Sequence, residues 1–420
     1  MVGGFLVGIV GGAFRWCLQA AEAIRTDLIA WAHELSGPGW LVPVAVVAAC
    51  ATIAGLIVRS EPMAARSGIP RLEAAFLGES PPPRLRVVPA RFGGGLLSIG
   101  SGLVLGREGP TVHMGATIGA ETARRIRLRA GEATNMQVAL GGAGLAVAFN
   151  APVAGVLFTL EEVTKSWRAQ TVLASAFAVA AAIGGSRLVL GDESDLHVDD
   201  TAAVGLSWLP LFVLFGACTG LLGAAYNRVV LLAVDHLAAG RRVPTPAAAG
   251  VIGAAVGLLL MVAPLTVGDG SALTQMLLDG HSPVLLAAAG LLVARFVTGP
   301  VCYSAAVPGG LFSPLLAVGA LWATLFLGCF QAVWPHDEAQ LAIPLLLAGM
   351  AAFFGATVRA PLTGLVIVME MTATTSAAIP MLIATAAAVA AAKAVGSRPI
   401  YDELRERLPA NPAREPSGDV

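Results

Sequence analysis

Apolar runs long enough to cross a bilayer recur along this chain, and most of them break at glycine and proline rather than at charge. Residues 1–31 read as a first helix, with Gly4, Gly8 and Gly12 on one face as a packing stripe. Residues 40–58 are uncharged and close to the roughly 20 residues that span hydrocarbon. Further apolar stretches are read at 87–105, 138–149, 171–190, 206–232, 243–267, 283–297, 315–333, 343–354 and 374–392. Residues 111–127 read as a helix, the stretch from Pro70 to Leu77 as a short one, and 270–279 as a short interfacial one. The expected fold is all-α: a polytopic membrane protein of broken, tilted helices.

Charge between the spans gives orientation. One connector carries Arg59, Arg66, Arg71, Arg84, Arg86 and Arg91, and a later helix ends in Arg124, Arg125, Arg127 and Arg129. Such an excess places a loop on the cytoplasmic side. Arg241-Arg242 join two spans. Residues 192–200 are acidic, with His197 and no Lys or Arg, and read as external, the histidine solvated. The 420 residues are 56% hydrophobic and 13% charged, with mean hydropathy +0.77. That balance excludes a soluble globular protein. A net charge of −1 gives no sign of nucleic-acid binding. The 49 glycines suit close helix packing in lipid. The five cysteines lie scattered in apolar stretches without metal-ligand spacing, and are read as packing residues, not disulfides or a metal site. Residues 1–14 could pass for a signal segment, but no basic stretch precedes them, so a retained helix is expected.

Four breaks carry the candidate chemistry. The first is Gly106-Arg107-Glu108-Gly109-Pro110. A carboxylate at membrane depth costs roughly 2.5 kcal/mol or more. Free N–H groups at a helix break, with the positive dipole end of the next helix, could hold that carboxylate and exchange it for a dissolved anion. The alternative is a solvated glutamate in a surface loop. The second break is Ala151-Pro152 with Gly155, followed by Glu161-Glu162, Lys165 and Arg168. Its glutamates either pair with those cations or accept a proton from the cytoplasmic side. The third is Pro308-Gly309-Gly310-Leu311-Phe312-Ser313-Pro314, and the fourth Arg359-Ala360-Pro361 with Gly364 and Glu370-Met371. Ser67, before Gly68-Ile69-Pro70, could cap a helix or offer its hydroxyl to an anion. His113 has no evident partner and reads as a packed histidine. Neither a His-x-x-x-His nor a Gly-x-Ser-x-Gly pattern is present, so no enzyme and no cofactor are expected.

The breaks fall into two matching pairs at nearly equal separations. Ala151-Pro152, Gly155 and Glu161 recur as Ala360-Pro361, Gly364 and Glu370. Gly106 to Pro110 with Gly115-Ala116 recurs as Gly310 to Pro314 with Gly319-Ala320. Interrupted spans at corresponding places of two halves point to a transporter's binding site. The halves are read as 1–190 and 206–395, inverted if an odd number of crossings separates them. They form one transport domain over 1–408, with 409–420 a short cytoplasmic tail. Glu108 aligns with Phe312 and Glu162 with Met371, so the extra carboxylates belong to one half only.

These blocks, in this order, resemble the CLC family of chloride channels and chloride/proton antiporters, over nearly the whole length to about Arg407. The resemblance implies a homodimer with one anion path per subunit, in lipid, most simply a bacterial plasma membrane. It implies chloride and protons as the transported species. The anion would be held by the amides of Glu108, Gly109, Leu311 and Phe312 and by the Ser67 hydroxyl. Glu108 matches the external gating glutamate and Glu162 the internal proton glutamate. Arg91 matches a basic residue near the pathway. A family tyrosine is expected five residues after the glutamate of Glu-Met-Thr; that position here is Thr375, which suggests weaker central binding or looser coupling. Arg66 stands where the family has glycine. An N-terminal interfacial helix and paired C-terminal regulatory domains are not expected. Chloride/proton exchange leads, with a passive channel as alternative; Ser67 argues against a fluoride exchanger, and helix-break carboxylates against a scaffold.

Overall fold

The computed structural model describes every residue except 36, 193–194, 199–203, 240–244, 335–338 and 409–420. The expected Arg241-Arg242 link, the end of the acidic connector and the tail 409–420 therefore lie outside the described residues. Among the described residues the chain forms seventeen α-helices and no sheet. The first half holds α1 (Val2–Glu34), α2 (Leu41–Ser60), α3 (Ile69–Phe76), α4 (Val87–Gly100), α5 (Glu108–Arg125), α6 (Ala130–Phe149), α7 (Pro152–Phe158) and α8 (Ala169–Leu190). A π-helical turn, Thr159–Val163, continues α7. The second half holds α9 (Leu209–Ala239), α10 (Thr245–Val262), α11 (Ser271–Leu278), α12 (Leu285–Ser304), α13 (Phe312–Val333), α14 (Ala339–Val358), α15 (Pro361–Thr372) and α16 (Ala378–Ala394). α17 (Ile400–Glu406) ends the described chain. Among the described residues, eight helices are long and apolar enough to cross a membrane.

Packing repeats with a step of eight helices. α1 packs on α8, α5 on α6 and α6 on α8; their counterparts α9–α16, α13–α14 and α14–α16 pack likewise. α2 pairs with α10, and α7 with α15, across the two halves. The duplication read from the breaks is thus a duplication of contacts. Small residues make it possible, because helix association in lipid depends on close approach. A Cβ on Gly115 of α5 would lie 2.2 Å from the Leu140 carbonyl oxygen, and one on Gly319 of α13 2.3 Å from that of Gly349. The stripe expected on α1 is real too: Gly4 and Gly8 abut the backbone of α8.

Helix starts come earlier than the apolar runs suggested. α5 begins at Glu108 rather than near Thr111, and α13 at Phe312 rather than Leu315. Pro110 and Pro314 sit in the first turn, where a missing N–H costs nothing. α12 runs past the expected end at Val297 to Ser304, with a buried Pro300 inside it.

The two halves cap each other. Glu161 accepts from the N–H groups of Leu362 and Thr363 at 3.1 and 2.8 Å, and from the Thr363 hydroxyl at 2.8 Å. Glu370 accepts from Val153 and Ala154 at 2.9 Å each. Each glutamate therefore closes the N-terminus of the repeat-related helix in the other half, satisfying donors that a helix start leaves open. Such reciprocity is what a two-fold relation between the halves produces. Replacing Glu370 with Ala should cost about 2 kcal/mol, the range for charge-assisted caps. Glu370→Gln should cost roughly half, since one acceptor oxygen remains. Thermal unfolding in detergent checks the order: wild type above Gln above Ala.

Candidate functional site

Three helix starts meet at the centre of the molecule: α3 after Ser67-Gly68, α5 at Glu108 and α13 at Phe312. Their approach segments are stitched together by backbone. Gly106 and Gly310 exchange both N–H···O bonds at 2.8 Å, as a two-residue antiparallel bridge. Arg66 donates to the Val307 carbonyl at 3.1 Å and accepts from Gly309 at 3.4 Å. Arg66 has φ +54°, in the left-handed region that a residue without Cβ enters freely. That conformation gives the physical reason for the glycine expected there; here an arginine holds the turn, fixed by its two backbone bonds.

Glu108 is fully buried. Its Oε1 accepts from the Phe312 N–H at 2.7 Å, and its Oε2 lies 3.4 Å from the Ser313 hydroxyl. The carboxylate thus sits on the first turn of α13, on the amide of the residue that is its own counterpart in the repeat. Helix starts carry open donors and a partial positive charge, so an acidic oxygen there occupies the place an anion would take. Gly106 and Gly310 make room for it: a Cβ on either would meet a Glu108 oxygen at 2.1 or 2.0 Å. Ser67 is buried, and its hydroxyl accepts from the N–H of Ile69, the first residue of α3, at 3.3 Å. The same oxygen would lie 3.0 Å from a Cβ on Gly109. Ser67, Glu108, Gly109, Leu311 and Phe312 are therefore gathered in one place.

Thr375 is not among them. It is exposed on the turn between α15 and α16. A tyrosine does reach the site, from α17: the Tyr401 ring lies 5.7 Å from that of Phe312, fully buried, its hydroxyl without a protein partner. The expectation of a missing tyrosine is corrected by this residue. Phe312 is packed on its other sides by Phe354, Phe158 and Phe149, with ring centres 4.4, 6.0 and 6.2 Å away.

Glu162 is buried in the π-helical turn close to the buried Glu73 of α3, and both oxygens of Glu73 and Oε1 of Glu162 lack a hydrogen-bond partner among the described residues. π-Helical turns of this kind are frequent at functional sites. Tyr401 lies within electrostatic reach of Glu108, Glu162 and Glu73 alike. Burial lowers the ammonium of Lys165, just beyond the turn, but Asp402, Glu162 and Glu73 raise it further, leaving it above its ordinary value. Glu73 escaped the sequence reading because it sits in a connector that also carries Glu61 and Glu79, so nothing local marks it out.

Arg91 is fully buried and donates to the carbonyls of Met63, Ala65 and Arg66 and, at 2.9 Å, to His113 Nδ1. His113 thus has a partner, contrary to expectation, and Arg91 fixes the strand of backbone leading into Ser67. On the far side, Asp195 pairs with both Arg15 and Arg107, the neighbour of Glu108. These charges border a polar cavity of about 210 Å³. His197 is exposed, as expected, though its backbone is tied to Gln275.

Fold and site define a class: an integral membrane protein of broken helices whose starts converge on a buried carboxylate. The chain belongs to the voltage gated chloride channel family, whose profile matches residues 49–393. The H(+)/Cl(-) exchange transporter ClcA of Vibrio cholerae serotype O1 is 36% identical over 421 residues, covering 97% of this chain and 88% of its own. ClcA of Vibrio parahaemolyticus is 34% identical at the same coverage. A solved slow cyanobacterial Cl-/H+ antiporter superposes with a TM-score of 0.89 at 27% identity, over 97% of each chain. A solved CLC-type fluoride/proton antiporter has a TM-score of 0.76 at 21% identity over 95% of each chain, a likeness of fold alone.

The geometry predicts a way to empty the Glu108 position without touching its chemistry. In Gly106→Ala the new methyl competes only with the end of a flexible side chain. A structure of that variant should show the carboxylate off the Phe312 amide while the bridge to Gly310 persists. A carboxylate still within 3 Å or so of that nitrogen, an ordinary hydrogen-bond length, would contradict the reading.

Proposed function

We propose that this protein exchanges chloride for protons across a membrane, with the anion and the Glu108 carboxylate competing for the same donors. The observation that carries the proposal is the Glu108 carboxylate seated on the Phe312 amide at the start of α13. Ionised, Glu108 fills the anion position. Protonated, it loses most of its attraction to the helix start, swings aside and leaves the amides to chloride. Backbone donors at Glu108, Gly109, Leu311 and Phe312, with the hydroxyls of Ser67 and Tyr401, would replace the hydration shell of the anion. Amides and dipole ends hold an anion without an opposing full charge, so it binds and can leave. Glu162, with Glu73 opposite it, hands protons in from the cytoplasmic side. Thr375 takes no part.

The ClcA relatives and the cyanobacterial antiporter support exchange over passive conduction. The relatives are bacterial transporters, which supports a bacterial plasma membrane and not an enzyme. Exposed apolar side chains on α7, α8, α15 and α16, such as Val153, Phe177, Leu362 and Ile379, support a face for lipid or for the second subunit of a homodimer. We read residues 1–408 as one transport domain.

Protein in liposomes under a chloride gradient should drive protons uphill. Chloride flux without proton movement would mark a passive channel instead. Glu108→Gln should keep chloride flux and abolish proton movement, and Glu162→Gln should likewise remove proton movement, both read by simultaneous chloride and pH electrodes. Tyr401→Phe should weaken chloride binding by about 1 kcal/mol, the worth of one hydrogen bond and roughly fivefold in Kd. Thr375→Ala should leave it unchanged; calorimetry in detergent compares the two.

A further inference from the structure

α17 stands outside the duplication. It has no counterpart among α1–α8, so the paired packing that places the other helices does not place it. Its apolar face, Ile400, Tyr401 and Leu404, is buried. Its polar face is held by ions. Asp402 accepts from Lys165 Nζ at 2.7 Å. Arg405 Nη1 bridges both oxygens of Glu79, at 2.8 and 2.7 Å, and its Nε lies 3.7 Å from Glu73. Arg407 fastens the end of the helix to Asp235 of α9 at 2.9 and 3.1 Å.

The partners are not scattered. Lys165 lies three residues after Glu162, at φ +47°, in the left-handed region that few non-glycine residues adopt. Glu73 lies on α3, the helix that begins beside Ser67, and Glu79 closely follows its end. Asp402 is the next residue after Tyr401. The Lys165–Asp402 and Arg405–Glu79 pairs therefore tie the tyrosine's helix to segments next to other site residues, while Arg407 anchors it to α9. A single exposed pair stabilises a fold little; these pairs act instead on where a two-turn helix sits.

We propose that Lys165, Asp402, Arg405 and Glu79 form a clasp of positioning residues that keeps Tyr401 in register with Glu162 and Ser67, and that the clasp sets how many chloride ions cross per proton. The proposal rests on the exchange reading above. With the clasp loosened, Tyr401 moves off Phe312, and an anion reaches the cytoplasmic side without waiting for a proton at Glu162. Chloride flux then persists while the ratio drifts upward.

The test is the reversal potential of the full chain in liposomes, which yields chloride per proton. Asp402→Asn, Lys165→Met and Glu79→Gln should each raise the ratio by about twofold or more, the low end of coupling between contacting residues. The charge swap Lys165→Asp with Asp402→Lys should bring it back toward wild type, which a merely destabilised protein would not do. Wild-type ratios in all three single variants would overturn the proposal, as would a swap that recovers nothing. Glu79, whose side chain is 39% exposed, carries the decision should the Lys165 variants fail to fold. A wild-type protein that moves chloride but no protons would overturn the exchange reading and this proposal together; an intact wild-type ratio with unchanged variants overturns this proposal alone.

Discussion

One carboxylate on one amide is the contact around which the molecule is arranged. In hydrocarbon every backbone donor needs a partner, and broken helices leave donors open at their starts. Here the breaks are brought face to face. The Gly106–Gly310 bridge satisfies part of the exposed backbone, and Glu108 covers the Phe312 N–H that remains. Phe149, Phe158, Phe354 and Tyr401 pack around Phe312 and keep that amide where it is. Arg91 holds the approach to Ser67 from the other side. Without the pairing of the two breaks, none of these neighbours would have a fixed centre to pack on.

The same device appears twice more with a different outcome. Glu161 and Glu370 also put carboxylates on helix starts, but each offers both oxygens to two backbone donors, and Glu161 gains a hydroxyl as well. Those are well-satisfied caps with nothing to gain by moving. Glu108 takes one backbone donor from the other half, the Phe312 N–H, with a long contact to the Ser313 hydroxyl at 3.4 Å and its own N–H nearby. A carboxylate held across the halves by one short backbone bond is the one that a competing anion, or a proton, can displace. The difference between a structural cap and a gate is thus a matter of how many short bonds the facing helix start makes to the carboxylate.

The breaks were legible because glycine and proline at fixed places in two halves leave a chemical trace: Gly106 to Pro110 and Gly310 to Pro314 could be aligned by eye. Glu108 and Phe312 lie in them, and Ser67 came with the family resemblance that these blocks carry. What stayed hidden depends on contacts far apart in the chain. Tyr401 sits in what reads as a polar tail, because only one face of α17 is apolar and seven residues show no period. Glu73 and Asp195 look like ordinary loop acids until the fold puts Glu162, Arg15 and Arg107 beside them. The reach of Arg91 to His113 crosses from one helix to the next, and no local pattern announces it. Helix ends moved by a few residues for a simpler reason: proline in a first turn belongs to the helix it begins.

A duplicated fold would by itself give two equal helix starts and two equal caps, and a path with no direction. The side chains break that equality. The half with α5 places a carboxylate at its helix start; the half with α13 places a phenyl ring there and supplies the amide. Glu162 follows Glu161 in one half, while Met371 follows Glu370 in the other. α17, outside both halves, then adds Tyr401. The backbone therefore provides the donors in a symmetric frame, and titratable groups are laid on one half of it. That arrangement lets the binding energy come from parts that never change charge, and the control from the few that do.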